Sequence, residues 1–175
     1  MTRSLLRALT VLSLVTALSG CGFAADRLIA ELDGTETFRM SSEGMEPTIK
    51  AGHVVTAKLV DGDYVPRTGD IVVFNASDWG VDGMVLMRVI GVPGSTVQCC
   101  DGEGRQLLDG RPMDEPYVHP GGRPYPFDLV RIPAGRIWVE GDHRMVSRDS
   151  RVRHWELGNG TVAVSNVVAV VELDG

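Results

Sequence analysis

The stretch MVLMRVIGVPGSTVQCC, residues 84–100, contains two Val-rich runs separated by a Pro-Gly break. β-Branched residues favour strands and Pro-Gly marks a turn, so the stretch predicts two strands joined by a turn. Six further runs have the same character and are separated by Gly, Pro or Asp: TFRM, HVVTAKLV, DIVVF, RQLLDG, RIWVEGD and TVAVSNVVAVVEL. The pattern predicts an all-β fold of antiparallel strands.

The composition is that of an ordinary globular chain. Its 175 residues are 43% hydrophobic and 23% charged, which suffices for one core with at most a small appended lobe. The formal net charge is −6. Because surfaces that bind nucleic acid are basic, we expect no nucleic-acid partner.

The first part of the chain has the character of a membrane-targeting segment. It reads MTRSLLRALTVLSLVTALSGC, with a basic start, an apolar run at residues 8–18 and the ending LSGC. This segment resembles a bacterial lipoprotein leader, which implies cleavage before Cys21 and attachment of a lipid to it. The alternative is an uncleaved membrane anchor, because residues 8–25 carry no charge. Either interpretation predicts that the rest of the chain lies on the outer face of the bacterial cytoplasmic membrane.

The domain boundaries follow from changes in composition. Residues 26–37 are acidic and weakly patterned, whereas residues 111–127 lack any period and are rich in Pro, Gly and Tyr. We predict a leader or anchor at residues 1–20, a tether at 21–37, a β domain at 38–175 and, within that domain, a small lobe at 99–133.

Cysteine and histidine residues do not form a metal motif. Cys99 and Cys100 are adjacent, so they predict either a vicinal disulfide or a thiol pair in a turn. The four histidines are scattered: His53, His119, His143 and His154. We therefore expect neither a metal nor another cofactor.

Four segments form an ordered set of motifs. They are SSEGMEPTIKAGHVV at residues 41–55, RTGDIVVF at 67–74, MRVIGVPGSTV at 87–97 and GDHRMVSRDSR at 141–151. The set resembles the type I signal peptidase family, whose boxes read Ser-Met-x-Pro-Thr, Arg-Gly-Asp-Ile-Val, Lys-Arg-Val-Ile-Gly-x-Pro-Gly-Asp and Gly-Asp-Asn-Arg-x-x-Ser-x-Asp-Ser-Arg. The resemblance implies coiled antiparallel sheets with a small second lobe.

The resemblance also implies two catalytic positions, and this chain lacks the required side chain at both. In the family, a serine hydroxyl attacks the scissile carbonyl of an exported preprotein while a neutral lysine accepts its proton. The serine position, just before Met45, is Gly44, and the lysine position, just before Arg88, is Met87. Glycine has no side chain and a thioether does not titrate. The sequence therefore predicts a catalytically inactive relative.

The residues around the two positions remain similar to those of the family. The resemblance implies that Ser42 helps to hold the oxyanion, that Ser147 orients the lysine, and that Asp149 and Arg151 brace the site. Without the lysine, an Asp149–Arg151 ion pair that joins neighbouring strands is the simpler interpretation. Three residues beside the catalytic positions are expected to line a peptide cleft: Met45, Pro47 and Arg88.

A displaced serine is the alternative source of activity. In an extended strand, Ser42 would share a face with Gly44 but lie about 6 to 7 Å along the strand from it. That separation argues against Ser42 as a substitute nucleophile, although Ser41 and Ser42 both lie close to Gly44 in the sequence. A substitute also needs a base, for which the chain offers five residues: Glu43, Lys50, His53, Lys58 and His143.

Two functions of different classes follow. The first is a non-catalytic, membrane-tethered protein that binds extended peptides, such as signal-peptide ends or a true signal peptidase, by strand addition to a sheet edge. The second is an active serine endopeptidase that processes signal peptides of exported proteins with a displaced serine such as Ser42. A structural lipoprotein that retains only the fold is a third interpretation. The missing catalytic pair favours the first.

Overall fold

The structure is a computed structural model that describes residues 34–122, 125–156 and 158–173. The strands are β1 (Thr35–Arg39), β2 (Val54–Leu59), β3 (Ile71–Asn75), β4 (Met84–Gly91), β5 (Thr96–Cys99), β6 (Gln106–Leu108), β7 (Arg111–Pro112), β8 (Phe127–Arg131), β9 (Arg136–Glu140), β10 (Val162–Ala163) and β11 (Val167–Val171). The one α-helix of the described ranges is short, α1 (Ser150–Arg153), and 3₁₀ turns lie at Ala76–Trp79 and Val164–Asn166.

The strands form two antiparallel sheets. The larger sheet has the order β1-β2-β11-β3-β4-β9-β10, and the smaller has the order β7-β6-β5-β8. Each recorded pairing is antiparallel. The predicted all-β class of coiled antiparallel sheets with a small second lobe is confirmed.

The stretch at residues 84–100 connects the two sheets. β4 belongs to the larger sheet, β5 belongs to the smaller sheet, and the predicted turn lies between them. Gly91 ends β4, and a Cβ atom there would overlap Cδ1 of Ile132. The chain therefore passes closely against its neighbours at the point where it leaves one sheet for the other.

The larger sheet is buried on both faces at its centre. Val72 and Phe74 of β3 pack into one apolar cluster, whereas Ile71 and Val73 pack into another. A third cluster lies under the smaller sheet, around Trp138. Burial on both faces explains why the central runs are continuously apolar rather than alternating.

Some predicted boundaries differ from the observed ones. β1 begins at Thr35, inside the predicted tether at residues 21–37, because Thr35 to Arg39 pair in register with β2. The smaller sheet extends from Thr96 to Arg131, close to the predicted lobe at 99–133. The predicted leader, the anchor alternative and Cys21 lie outside the described residues. Within those residues, no helix has the length and apolar character needed to cross a membrane.

A buried charge cluster joins β9 to the segment that follows it. Nη1 of Arg144 lies 2.8 Å from Oε2 of Glu140, and Nη2 lies 2.6 Å from Oε1 of Glu115. Arg151 lies 2.8 Å from Asp149 and 3.5 Å from Glu140. Three carboxylates share two guanidinium groups, so the pKa of the fully buried Glu140 depends on the balance between its burial and the charges around it.

Glu140 gives the stability of the fold a component that depends on pH. Burial raises the pKa of Glu140 above its ordinary value, against the opposing charges of Arg144 and Arg151. Its contribution to the free energy of unfolding is then complete below about pH 4.3 and is lost as pH rises toward the raised pKa. We expect the difference in unfolding free energy between the native chain and Glu140→Gln to fall by up to about 1.4 kcal/mol per pH unit in that window.

Urea denaturation across this pH range measures the difference. Glu103→Gln is the matched control, because it makes the same change of charge at an exposed glutamate. A flat difference for Glu140→Gln would contradict the prediction.

Candidate functional site

A cleft of about 560 Å³ opens on the larger sheet. One wall is the end of β1 with the segment that follows it, residues 38–44, and the other is the first half of β4, residues 84–87. The remaining lining residues come from four short segments: Val73, Trp79, Val81, Val146, Ser147, Arg148 and Arg153. Both predicted catalytic positions, Gly44 and Met87, line this cleft.

The backbone of Gly44 is held by a hydrogen bond, but its position does not require glycine. Its carbonyl accepts a hydrogen bond of 3.0 Å from the backbone N–H of His143. A Cβ atom on Gly44 would meet only Oγ of Ser42 at 3.5 Å and Cε of Met40 at 3.9 Å, which are ordinary contacts. Nothing in the local geometry therefore excludes a larger residue at this position.

Met87 supplies an apolar surface at the lysine position. It lies on β4, pairs with Val72 and is 8% exposed. It also packs into the apolar cluster that contains Phe74. Since neither Gly44 nor Met87 carries a group that titrates or attacks, these two positions provide no nucleophile and no base.

Two strand edges border the cleft. Residues 84–87 of β4 pair with β3 on one side, whereas β9 joins the other side only from Arg88 onward. On the opposite wall, Phe38 and Arg39 of β1 pair with β2 alone. Within the described ranges, each edge thus lacks a second neighbouring strand, and such edges can pair with an added strand.

Ser42 lies much closer to Gly44 than an extended strand would allow. Its Oγ accepts a hydrogen bond of 3.4 Å from the backbone N–H of Gly44. The strand assumption was wrong, because β1 ends at Arg39 and the chain bends at residues 42–43. Before the bend, the backbone N–H of Met40 donates to the carbonyl of His53, and its carbonyl accepts from the N–H of Gly52. The 6 to 7 Å separation is therefore no argument against Ser42.

The five candidate bases are dispersed. Glu43 lines the cleft, whereas Lys50, His53 and Lys58 are exposed and lie outside its lining. Lys50 precedes β2 rather than lying in a strand. The ring of His143 stacks on that of His119, with centroids 4.0 Å apart. Among the described residues, the Ser42 hydroxyl contacts none of these side chains by hydrogen bonding.

The three residues expected to line the cleft lie elsewhere. Met45 is fully buried in the cluster around Val73, and Pro47 is exposed beyond the cleft. Arg88 is buried and forms a two-pronged ion pair with Asp142, at 2.8 Å and 2.6 Å. Its direction in β4 takes it to the face opposite Met87, since neighbouring strand residues point to opposite faces.

The Arg88–Asp142 pair fastens three parts of the chain together. Asp142 also accepts a hydrogen bond from Oγ1 of Thr48, in the segment that follows Gly44. Arg88 donates to the carbonyl of Gly69 at 3.0 Å and stacks over the ring of Tyr117 at 4.0 Å. The pair therefore connects β4, the Gly44 segment and the chain of the second lobe.

Asp149 and Arg151 form the expected ion pair but connect different elements than expected. Asp149 caps α1 through the backbone N–H of Arg151 and accepts a 3.1 Å bond from that of Gly141, just after β9. The pair thus joins α1 to the end of β9 rather than two strands. A Cβ atom on Gly141 would overlap both Gly44 and Ser147, so glycine lets these residues approach each other.

The hydroxyl of Ser147 is buried and has no hydrogen-bond partner among the described residues. An unsatisfied buried hydroxyl is destabilising, so Ser147→Ala should raise the free energy of unfolding by about 0.5–1 kcal/mol.

Ser150→Ala is the matched control, because Oγ of Ser150 accepts a 3.0 Å bond from the N–H of Val139. The control should lower it by about 1–3 kcal/mol. Urea denaturation of both variants measures this, and equal losses would contradict the prediction.

The cysteine pair lies apart from the cleft. Cys99 and Cys100 form a disulfide at the end of β5, and Cys99 borders a second cavity of about 340 Å³. No cluster of three or more His, Cys, Asp or Glu side chains suited to a metal occurs in the described part of the chain.

Sequence reasoning missed several cleft residues. Val81, Met84, Val146 and Arg148 all line the cleft and are exposed. The only available signal was their position within or between the family boxes, which does not indicate the direction of their side chains.

Comparison with known proteins identifies the family. The sequence model described as signal peptidase, peptidase S26, matches residues 10–174. Signal peptidase I of Mycobacterium tuberculosis is 30% identical over 186 residues, which cover 78% of this chain and 63% of that protein. Probable signal peptidase I-1 of Synechocystis is 33% identical over 118 residues, covering 63% and 59%. This chain belongs to the signal peptidase family, and it spans less than two thirds of the length of these two relatives.

A solved structure is also similar. A signal peptidase I from Enterococcus faecalis V583 is 26% identical, and the match covers 62% of this chain and 98% of that chain with a TM-score of 0.48.

Proposed function

We propose that this chain is a catalytically inactive member of the signal peptidase family that binds extended peptides in its cleft. The observation that carries the proposal is that Gly44 and Met87, the two positions that the family boxes assign to the nucleophile and the base, both face the cleft. A cleft without these groups retains its capacity to bind but not the chemistry of peptide cleavage.

The two strand edges support the binding half of the proposal. An extended peptide that enters between residues 38–39 and residues 84–87 can pair its backbone with either edge, as in strand addition. Met87 and Leu86 both line the cleft and are apolar, and Gly44 adds no projecting side chain. Small apolar side chains therefore fit best.

The location of the chain is part of the proposal. We propose that it is tethered to the outer face of the cytoplasmic membrane, through a lipid on Cys21 or through an uncleaved segment at residues 8–25. Intact-mass measurement of the membrane-extracted chain distinguishes the two anchors, because only the first removes residues 1–20.

A binding experiment tests the proposal on the full chain in non-ionic detergent. The probe is a peptide with an amidated C-terminus, Val-Ala-Thr-Ala-Gln-Ala, labelled on its N-terminus with an uncharged BODIPY dye, whose anisotropy reports binding. We expect saturable binding, no cleavage by mass spectrometry, and a loss of affinity of about tenfold or more in Gly44→Phe. Gly62→Phe is the matched control, because a Cβ atom on Gly62 meets nothing within 4 Å.

Absence of saturable binding, or equal affinity in the two phenylalanine variants, would refute the proposal.

The short distance between Ser42 and Gly44 supports a second candidate function, a serine endopeptidase with Ser42 as nucleophile. Oγ of Ser42 lies 3.5 Å from the position of a Gly44 Cβ atom, near the place of the family nucleophile. Cleavage of a preprotein by the native chain that Ser42→Ala abolishes would establish this function. Ser41→Ala is the control, because Ser41 lines the same cleft.

A further inference from the structure

The cleft carries positive charge although the chain is acidic. Three arginines and one glutamate line it, Arg39, Arg148, Arg153 and Glu43, whereas the whole chain has a formal net charge of −6. Positive charge that is concentrated in a concave site attracts a negatively charged ligand, even when the whole chain is acidic.

Two of the three arginines are already engaged by the protein. Arg39 donates from Nη1 to the carbonyl of Gly52 at 2.8 Å. Arg153 lies 3.2 Å from Glu156 and stacks over the ring of Trp79 at 4.9 Å. These contacts hold both side chains at the rim of the cleft.

Arg148 differs from them. It lines the cleft, is exposed, and takes part in no side-chain hydrogen bond or ion pair within the described part of the chain. Its two neighbours, Ser147 and Asp149, are buried, so the backbone at Arg148 is fixed while the guanidinium remains available. The family box that this segment resembles has no fixed residue at this position, so the resemblance gives Arg148 no role.

We infer that the cleft prefers peptides that carry a carboxylate, and that Arg148 binds that carboxylate. The inference rests on the proposed function, peptide binding in the cleft, and specifies its ligand. A guanidinium group presents parallel N–H donors that match the two oxygens of a carboxylate, and such charge-assisted bonds are stronger than neutral ones.

A peptide satisfies the other features of the cleft better than a lipid does. The open edges at residues 38–39 and 84–87 present backbone donors and acceptors, which a peptide backbone can pair and a lipid headgroup cannot. The carboxylate has two possible sources within a peptide, the free C-terminus or the side chain of Asp or Glu. The chemistry that Arg148 recognises is the same for both.

Three labelled peptides separate these possibilities. The first is Val-Ala-Thr-Ala-Gln-Ala with a free C-terminal carboxylate, the second is its C-terminal amide, and the third is the amide extended by one Glu. We expect the full chain in non-ionic detergent to bind at least one of the two charged peptides about tenfold more tightly than the neutral amide. A gain for the first peptide alone identifies the C-terminus as the source, and a gain for the third alone identifies the side chain.

A pair of arginine variants assigns the preference to Arg148. Arg148→Gln should reduce the ratio of affinities for the charged and neutral peptides to less than about twofold. Arg67→Gln is the matched control, because Arg67 is an exposed arginine outside the cleft lining, and it should retain the full preference. The preference should also weaken as salt is added, since the site is open to solvent.

The outcomes distinguish this inference from the function on which it rests. If the three peptides bind equally, the carboxylate preference is refuted and peptide binding stands. If none binds, peptide binding itself fails. A preference that survives in Arg148→Gln refutes the role of Arg148. Equal peptide binding together with Arg148-dependent cosedimentation on phosphatidylglycerol vesicles would refute the inference and identify an anionic lipid surface as the partner.

Discussion

The variant Gly44→Ser plus Met87→Lys is expected to cleave a preprotein at least about 100-fold faster than the native chain, since a positioned general base alone contributes that much. The structure has room for the serine, because a Cβ atom on Gly44 makes only ordinary contacts. A lysine at position 87 would be largely buried, and desolvation favours the neutral amine that a base requires. Ser147, whose buried hydroxyl has no partner among the described residues, is then available to orient it.

Cleavage of a detergent-solubilised preprotein, followed on gels, measures this gain. The control is Gly44→Ala plus Met87→Lys, which adds nearly the same volume and the same amine but no hydroxyl, and it should remain silent. A double variant that folds and binds peptide like the native chain, yet cleaves nothing, would show that Gly44 and Met87 do not occupy the catalytic positions.

The second large effect concerns stability. Asp142→Ala should lower the free energy of unfolding by about 3–5 kcal/mol and Tm by roughly 10 °C, because it leaves the buried guanidinium of Arg88 without a counter-charge. It also removes the acceptor of the Thr48 hydroxyl, so the segment after Gly44 loses a connection to the sheet. Urea and thermal denaturation measure the loss.

Two further variants test whether the unpaired charge of Arg88 causes this loss of stability. Glu103→Ala breaks an exposed pair with Arg105 and should cost about 1 kcal/mol or less. Replacement of both charges, Arg88→Met plus Asp142→Leu, removes the uncompensated charge and should cost less than Asp142→Ala alone. A loss below about 1 kcal/mol for Asp142→Ala would contradict the importance of the pair.

Local sequence patterns predicted the strands well because apolar, β-branched runs bounded by turn residues are typical of buried strands. Val and Ile runs such as IVVF at the start of β3 favour extended backbone and need burial, and turn residues separate them. The ordered family boxes located Gly44 and Met87, and both reach the same cleft. The sequence did not predict the geometry of Ser42, because the turn after Met40 depends on backbone bonds to residues 52 and 53 that no local pattern reveals.

The cleft lining was the least predictable part of the site. Met45 and Arg88 are neighbours of the catalytic positions in the chain, yet one packs into the core and the other pairs with Asp142. Arg148 is remote from both positions in sequence and still lines the cleft. Which side chains surround a cleft depends on the packing of distant segments, and that information is absent from spacing alone.

The point at which β9 joins β4 limits the length of the open strand edge in the cleft. The open edge comprises residues 84–87, and at about 3.3 Å per residue it offers roughly 13 Å of backbone. At Arg88 the edge is already taken, because that residue pairs with Glu140. A guest strand therefore meets about four residues of open edge, of which alternate residues direct their backbone N–H and C=O groups toward it, before it reaches the part that β9 occupies. Under the proposed function, we therefore expect the open edge to pair with a segment of about four residues, whatever the length of the bound peptide.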